Sequence, residues 1–364
     1  MQKPNRTKLR YVIINLFKSD RIPGGNNLAT TLFNRHRLLK KKTRTTGIAV
    51  CLCFIAFVAS AFAFNGCTKQ QEPLLRVASG AWIGYEPLYL ARSLGYYDNK
   101  NIRLLEMPSA SQASQALRNG MIEAACLTLD EMIALMQDGM DLRAVLVIDV
   151  SHGGDVLMAS PGIDTLQSLR GKRVGVENVA VGAIMLDAAL EAGELQAKDV
   201  TIVPLTIDEQ ADAYLAGKVD ATVTYEPVRS KLLKAGAHVL FDSSQIPGRI
   251  VDVLVVRAEI AAAHTQALKE LLKGHFRARE YITSQPQDAE KRMAPRLGEN
   301  ALAQFTGLSL LDIKENQALL GGNSPHLKIT AGALADLMLR RKLLQKPVSI
   351  DRLADPSFLP AVNE

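Results

Sequence analysis

Hydrophobic and polar positions separate an N-terminal leader from a long stretch in which predicted strands and helices alternate. From residue 74 onward, short runs rich in β-branched residues alternate with amphipathic stretches. The short runs predict strands at 75–78, 102–107, 124–127, 142–150, 155–159, 173–176, 200–204, 221–224, 239–241 and 252–256. The amphipathic stretches predict helices at 85–94, 112–119, 130–137, 181–192, 209–216 and 230–234. Alternation at this spacing is typical of parallel α/β units.

After residue 257 the pattern becomes helical throughout. It predicts helices at 260–284, 289–294, 301–308 and 331–344. The apolar stripes of such helices need cover, so we expect this helical C-terminal part to pack on the sheets formed earlier in the chain. The fold class is therefore α/β.

The alternating region falls into two blocks joined by two crossings. Pro161-Gly162 interrupts the chain after the first block, and Pro247-Gly248 interrupts it again before the chain returns. The pattern predicts one lobe from residues 74–159 plus 250–364 and a second lobe from 160–249. Two crossing segments form a hinge, and the cleft between the lobes lies beyond the carboxyl ends of strands, where open α/β sheets bind ligands.

Charge is distributed unevenly along the 364 residues. The chain has a formal net charge of +6, but residues 1–66 contain 12 Lys and Arg against the single acid Asp20, so residues 67–364 carry a net charge of −5. Only 5% of the residues are aromatic, and the basic residues are concentrated in the leader. This distribution argues against a nucleic-acid partner.

The leader, residues 1–66, has the order of an export signal. A basic cluster at 35–44 precedes 17 residues without a charge at 48–64, and Gly66-Cys67 follows. The Cys67 context resembles a bacterial lipobox, although Phe64 and Asn65 depart from its usual residues. We expect lipidation of Cys67 followed by a tether at 67–73; an uncleaved membrane anchor and ordinary cleavage are the alternatives. We expect translation to start downstream of Met1.

The loops that follow the predicted strands supply the candidate ligand-binding residues. They are Trp82, Tyr85, Ser109, Ser111, Thr128, Gly154, Asp155, Glu177, Asn178, Tyr225 and Glu226. Trp82 either stacks on a ligand or packs inside a lobe. The hydroxyl groups of Ser109, Ser111 and Thr128 suit either a helix N-cap or a ligand contact. The helix after Ser109 also offers open backbone N–H groups that favour an anionic group.

Several motifs of the chain, taken in order, resemble the periplasmic solute-binding proteins of ABC importers for taurine, aliphatic sulfonates, nitrate and the thiamine pyrimidine precursor. These motifs are WIGYEPLYLARSLGYYD (82–98), SASQASQALRNGMIEAA (109–125), SHGGDVLMA (151–159), LRGKRVGVENVAVG (169–182), AGKVDATVTYEP (216–227), LFDSSQIPGRIVDVLVVR (240–257) and LADPSFLP (353–360). The resemblance covers about 74–356. It implies a two-lobed type II periplasmic-binding fold that closes on a small molecule, with ligand contacts from the loops of Trp82, Tyr85, Ser111, Thr128, Asp155, Glu177 and Tyr225.

The resemblance also implies partners and a location. We expect a monomer on the periplasmic side of a bacterial membrane, anchored there by its N-terminal lipid, that docks on the transmembrane subunits of an ABC permease. An input protein that reports a ligand to a membrane receptor is the alternative. The clustered cysteines of the pyrimidine-precursor branch are missing from the sequence, which disfavours that ligand.

An enzyme built on the same fold is a third hypothesis, which the sequence disfavours. It contains no GxSxG or HExxH motif, and no Cys/His pair has the spacing of a zinc site. We therefore expect no catalytic residue, no cofactor and no metal.

The balance of charge at the candidate loops indicates the kind of ligand. Six acids lie there, and Arg249 is the one cation nearby: Asp130, Glu131, Asp155, Glu177, Glu226 and Asp252. A buried carboxylate needs a partner. We therefore expect a zwitterion or an amine-bearing molecule, with its acidic end at the 109–112 helix start and its cationic end near Asp155 or Glu177.

Overall fold

The computed structural model describes residues 72–361, which form two β-sheets with helices packed around them. Within this range, no helix combines the length and apolar character needed to cross a membrane. The leader and the predicted lipidation site Cys67 lie outside the described residues.

The first sheet has six strands in the order β2-β1-β3-β10-β4-β11. Its strands are β1 (Leu75–Ser79), β2 (Ile102–Glu106), β3 (Ala124–Thr128), β4 (Leu142–Ser151), β10 (Val251–Arg257) and β11 (Leu308–Leu310). β1 is parallel to β2 and β3, whereas β10 is antiparallel to β3 and β4. All five residues of β3 are buried, because a central strand of a sheet covered on both faces needs apolar side chains on both.

The second sheet has five strands in the order β7-β6-β8-β5-β9. They are β5 (Val156–Ala159), β6 (Arg173–Val176), β7 (Thr201–Pro204), β8 (Ala221–Thr224) and β9 (His238–Asp242). β6 is parallel to β7 and β8, and β5 is antiparallel to β8 and β9. β5 therefore joins the second sheet, although the predicted boundary at 159/160 placed its residues in the first lobe.

Helices follow most of the strands and continue into the C-terminal part. They are α1 (Glu86–Ser93), α2 (Ala110–Arg118), α3 (Leu129–Gln137), α4 (Ala180–Ala192), α5 (Ile207–Leu215), α6 (Val228–Lys234), α7 (Ala258–Ala261), α8 (Thr265–Ser284), α9 (Pro286–Leu297), α10 (Ile313–Leu320) and α11 (His326–Arg340). Buried residues of α3, α4 and both sheets belong to one apolar cluster.

Two predictions for the C-terminal part are wrong. The helix predicted at 301–308 is a short 3-10 turn, Ala301–Phe305, followed by strand β11, which pairs with β4. The structure also contains α10, which the helical pattern did not reveal. The prediction of an all-helical tail fails because β4 offers a free sheet edge, and Leu308–Leu310 satisfies its backbone groups.

The chain crosses between the two sheets at residues 152–155 and 243–250, and a pair of buried serines joins the crossings. The hydroxyl groups of Ser151 and Ser243 lie 2.7 Å apart, and the Gly153 N–H donates to Ser243 Oγ at 2.7 Å. The Ser243 N–H in turn donates to the Asp155 carbonyl at 2.9 Å. These hydrogen bonds fix the two crossings side by side and place Asp155 at the junction of the sheets.

Candidate functional site

A cavity lies between the two sheets, at the ends of several strands. Its lining consists of Gly80, Trp82, Tyr85, Ala110, Cys126, Thr128, Glu131, Asp155, Glu177, Val179, Val181, Gly182, Gln210, Val223, Tyr225, Ile250 and Asp252. Its volume of about 40 Å³ exceeds the roughly 10–15 Å³ that one water molecule needs. The cavity therefore suits a small molecule.

Six of the eleven predicted ligand-binding residues line this cavity: Trp82, Tyr85, Thr128, Asp155, Glu177 and Tyr225. Five do not: Ser109, Ser111, Gly154, Asn178 and Glu226. The Ser109 hydroxyl accepts the Gln112 N–H at 3.3 Å as the N-cap of α2. Asn178 is exposed. Whether the six residues bind a ligand stays a prediction.

Glu226 and Gly154 have structural contacts outside the cavity lining. The carboxylate of Glu226 accepts the N–H and hydroxyl of Ser230, at 3.2 and 3.0 Å, in the first turn of α6. A Cβ on Gly154 would lie 3.0 Å from Trp82 Cη2 and 2.8 Å from Leu308 Cδ1. Gly154 therefore allows the Trp82 ring to approach the hinge backbone.

An aromatic group forms one wall of the cavity and joins the two sheets. Trp82, which precedes the 3-10 turn before α1, meets Tyr225, which follows β8, edge to face with ring centroids 5.2 Å apart. The Trp82 indole N–H donates to the Asp149 carboxylate at 3.1 Å, and the Tyr85 hydroxyl donates to Asp252 Oδ1 at 2.5 Å. Both aromatic side chains thus pair with a carboxylate of the first sheet.

Carboxylates dominate the polar part of the cavity. One buried oxygen of each of three carboxylates, Glu131 Oε1, Asp155 Oδ2 and Asp252 Oδ2, has no hydrogen-bond partner among residues 72–361, and the same is true of Gln210 Oε1. These four side chains are at most 5% exposed. No Lys, Arg or His contributes to the lining, and no lining carboxylate belongs to an ion pair of the described chain. The cavity therefore presents acceptors that lack a positive counterpart.

Burial raises the pKa values of these carboxyl groups. It raises the pKa of Glu131 to about 8 and that of Asp155 to about 6. The pKa of Asp252 lies well above its usual value, because burial is reinforced by the neighbouring Asp149. Asp149 and Asp252 are opposite each other in the antiparallel pair β4–β10, and burial raises the pKa of Asp149 to about 8. An uncompensated carboxylate in a dry site holds its proton until a cation arrives.

Arg249, the cation expected near the cleft, does not reach this cavity. It lines a separate surface depression together with Glu191, Leu337, Arg340 and Arg341. In the range 72–361, no group of three or more His, Cys, Asp or Glu side chains has an arrangement that suits a metal ion. The acids of the cavity are therefore left for an organic group.

Three polar residues of the site were missing from the predicted set. Asp252 and Asp149 interrupt apolar strands, and an acid in a buried strand was a signal in the sequence. Gln210 lies on the apolar face of α5, one turn after Ile207 and one turn before Tyr214. A polar residue at that spacing indicated a role inside the molecule.

Relatives with known names share most of this chain. It is 22% identical over 331 residues to a candidate aliphatic sulfonates-binding protein of Bacillus subtilis (strain 168), a match that covers 86% of this chain and 96% of that protein. It is 24% identical over 181 residues to the taurine-binding periplasmic protein of Escherichia coli (strain K12), which covers 49% and 56%.

Solved structures share the fold. The alkanesulfonate-binding protein SsuA from Xanthomonas axonopodis pv. citri, bound to MOPS, matches with a TM-score of 0.65 and 20% identity over 79% of this chain and 98% of its own. The desulfurization enzyme DSZB also matches, with a TM-score of 0.58 and 20% identity over 79% and 97%. The same fold therefore supports both binding and catalysis.

The model of one protein family matches residues 68–298, which comprise β1–β10 and the cavity between the two sheets. The chain belongs to the NMT1-like family.

Proposed function

We propose that the protein is an extracytoplasmic solute receptor that captures a small amine-bearing organic molecule and delivers it to an ABC importer. The binding role agrees with the relatives, and the motifs that resemble importer receptors support delivery to a permease. The ligand class rests on one observation, which is that three buried carboxylates face the cavity without a cationic partner.

An ammonium group supplies what these carboxylates lack. It donates hydrogen bonds to Glu131, Asp155 and Asp252, and its charge replaces the protons that these groups otherwise hold. The rings of Trp82 and Tyr225 lie beside them, and an aromatic face attracts a cation by about 0.5–2 kcal/mol. A purely anionic ligand would instead meet acidic side chains on both sides.

A binding screen tests this proposal. Thermal shift followed by calorimetry compares alkylamines, amino acids, taurine, alkanesulfonates, nitrate and pyrimidines at pH 7.5. We expect amine-bearing compounds to bind and nitrate and simple sulfonates to fail. Asp252→Asn removes one of the unpartnered carboxylates and should weaken amine binding by roughly tenfold or more. Tight binding of nitrate, with every amine silent, would refute the ligand class but leave the receptor role.

The enzyme hypothesis has a separate test, because DSZB shares the fold. The bound compound is incubated with the protein for a day, extracted and identified by mass spectrometry. A receptor returns the compound unchanged, whereas conversion into a product would replace the receptor proposal with an enzymatic one.

We also propose that Cys67 carries a lipid that holds the receptor at the membrane. The support is its position after the basic cluster and the apolar run. Cys67→Ala should abolish metabolic labelling with a fatty acid and release the protein from the membrane fraction, and Cys126→Ala serves as the control because Cys126 is buried in β3. A Cys67→Ala protein that stays in the membrane supports an uncleaved anchor instead.

A further inference from the structure

We propose that Glu177 is an internal anion that occupies the N-terminus of α2 and thereby excludes acidic ligands from this receptor. Glu177 follows β6 of the second sheet, whereas α2 follows β2 of the first. Its Oε1 accepts the Ser111 hydroxyl at 2.8 Å and the Ser111 backbone N–H at 3.3 Å. The contact joins the two sheets at the edge of the cavity.

The start of α2 is the place in this cavity best suited to an anion. Backbone N–H groups at a helix start attract carboxylates and sulfonates, and Ala110 of the same turn lines the cavity. The Ser109 side chain already accepts the Gln112 N–H, and Glu177 takes the Ser111 N–H. The acidic end of a zwitterion, expected here from the sequence, would have to displace a carboxylate of the protein.

The backbone around Glu177 holds its side chain in this position. The Val179 N–H donates to the Glu177 carbonyl at 2.8 Å, and a Cβ on Gly182 would lie 2.8 Å from the same oxygen. Glu177 is 7% exposed, and no Lys or Arg pairs with it among the described ion pairs. The donors of Ser111 are therefore its main partners.

The inference rests on the proposed receptor role and narrows the ligand further. With the anion position filled from within, the ligand needs an ammonium group for Glu131, Asp155 and Asp252 but no acidic group. Glu177 also reaches Ser111 only when the two sheets approach, so the contact favours the closed form with a cationic ligand inside.

A gain-of-binding experiment tests the inference. Calorimetry at pH 7 measures an alkylamine and ethanesulfonate against the wild type, Glu177→Ala and Glu177→Gln. Freeing the helix start should improve ethanesulfonate binding about tenfold or more in Glu177→Ala, since charge-assisted contacts at a helix N-terminus contribute about that factor. Glu177→Gln keeps an acceptor for Ser111 and should gain less. Asp208→Asn is the matched control, because it removes an exposed acid of the same lobe and should change neither ligand.

The outcomes separate this inference from the proposed function. Wild-type binding of ethanesulfonate that Glu177→Ala leaves unchanged would overturn the inference, because Glu177 would then exclude nothing. A folded Glu177→Ala and a folded Glu177→Gln that bind the amine and gain no sulfonate would overturn it as well, while the receptor role stands. A sulfonate gain in a protein whose wild type binds no amine would support the role of Glu177 and refute the amine ligand.

Discussion

Asp149 offers a direct test of whether buried carboxyl groups set the pH dependence of stability. It is fully buried in β4, accepts the Trp82 indole N–H at 3.1 Å and faces Asp252 across the β4–β10 pair. Asp149→Asn keeps an acceptor oxygen for Trp82 and removes the ionisable group. The substitution therefore changes the protonation behaviour of the site with little change in packing.

The sign and size of the effect follow from the pKa. Burial raises the pKa of Asp149 from 3.8 to about 8, so the folded protein retains a proton that the unfolded chain releases near pH 4. The folded state consequently loses about 1.4 kcal/mol of stability for each pH unit between these two values. Between pH 5 and pH 7 this amounts to about 3 kcal/mol for one group, and Asn at this position does not contribute to it.

Urea unfolding followed by far-ultraviolet circular dichroism measures the effect at pH 5 and pH 7. Fluorescence is unsuitable as a probe because Trp82 is the sole tryptophan and contacts the altered residue. We expect the free energy of unfolding of Asp149→Asn to gain about 3 kcal/mol over the wild type between pH 5 and pH 7. The exposed Asp208→Asn serves as the control. An Asp149→Asn difference that is the same at both pH values would refute the reasoning.

Three further predictions concern binding and packing. Amine affinity should rise up to tenfold per pH unit between pH 6 and pH 8, because Glu131 and Asp252 must release protons; calorimetry in two buffers of different ionisation enthalpy measures this release. Trp82→Ala should lower stability by about 3–5 kcal/mol, since it empties a buried site and leaves Asp149 without its donor, and urea unfolding measures the loss. Arg341→Ala should weaken ligand binding a few-fold at low salt, because Arg341 joins the end of α11 to α4 across the two sheets, and the effect should fade at 1 M salt.

The regular part of the fold was readable because its strands are buried on both faces. Each of the ten predicted strands corresponds to a strand of the structure, and β3 and β10 appear in the sequence as nearly continuous apolar runs. β11 escaped prediction because three residues are too few to show a period. α10 was missed although Asp312 and Glu315 form a capping box at its start, a signal that the sequence did contain.

The site was predictable only in part, because its geometry depends on strand register and on contacts between the sheets. Trp82 and Tyr225 were recognisable as loop aromatics, but their contact requires both sheets to be in place. The pairing of Asp149 with Asp252 follows from the register of β4 and β10, for which the sequence gives no direct signal. Ser111 and Glu177 were each predicted as ligand contacts, whereas in the structure they bind each other.

The contact between Ser111 and Glu177 shows why a shared fold does not transfer a ligand. The motifs that carry the family resemblance are rich in glycine and aromatic residues, which set backbone turns and lobe packing. The charge of the cavity depends on a few side chains, such as Glu177 and Asp252, that the fold itself does not require. A relative can therefore keep the helix start of α2 as an anion site while this protein fills it with its own carboxylate. Replacing that one carboxylate should move the selectivity toward the sulfonates named in the relatives, without a change of fold.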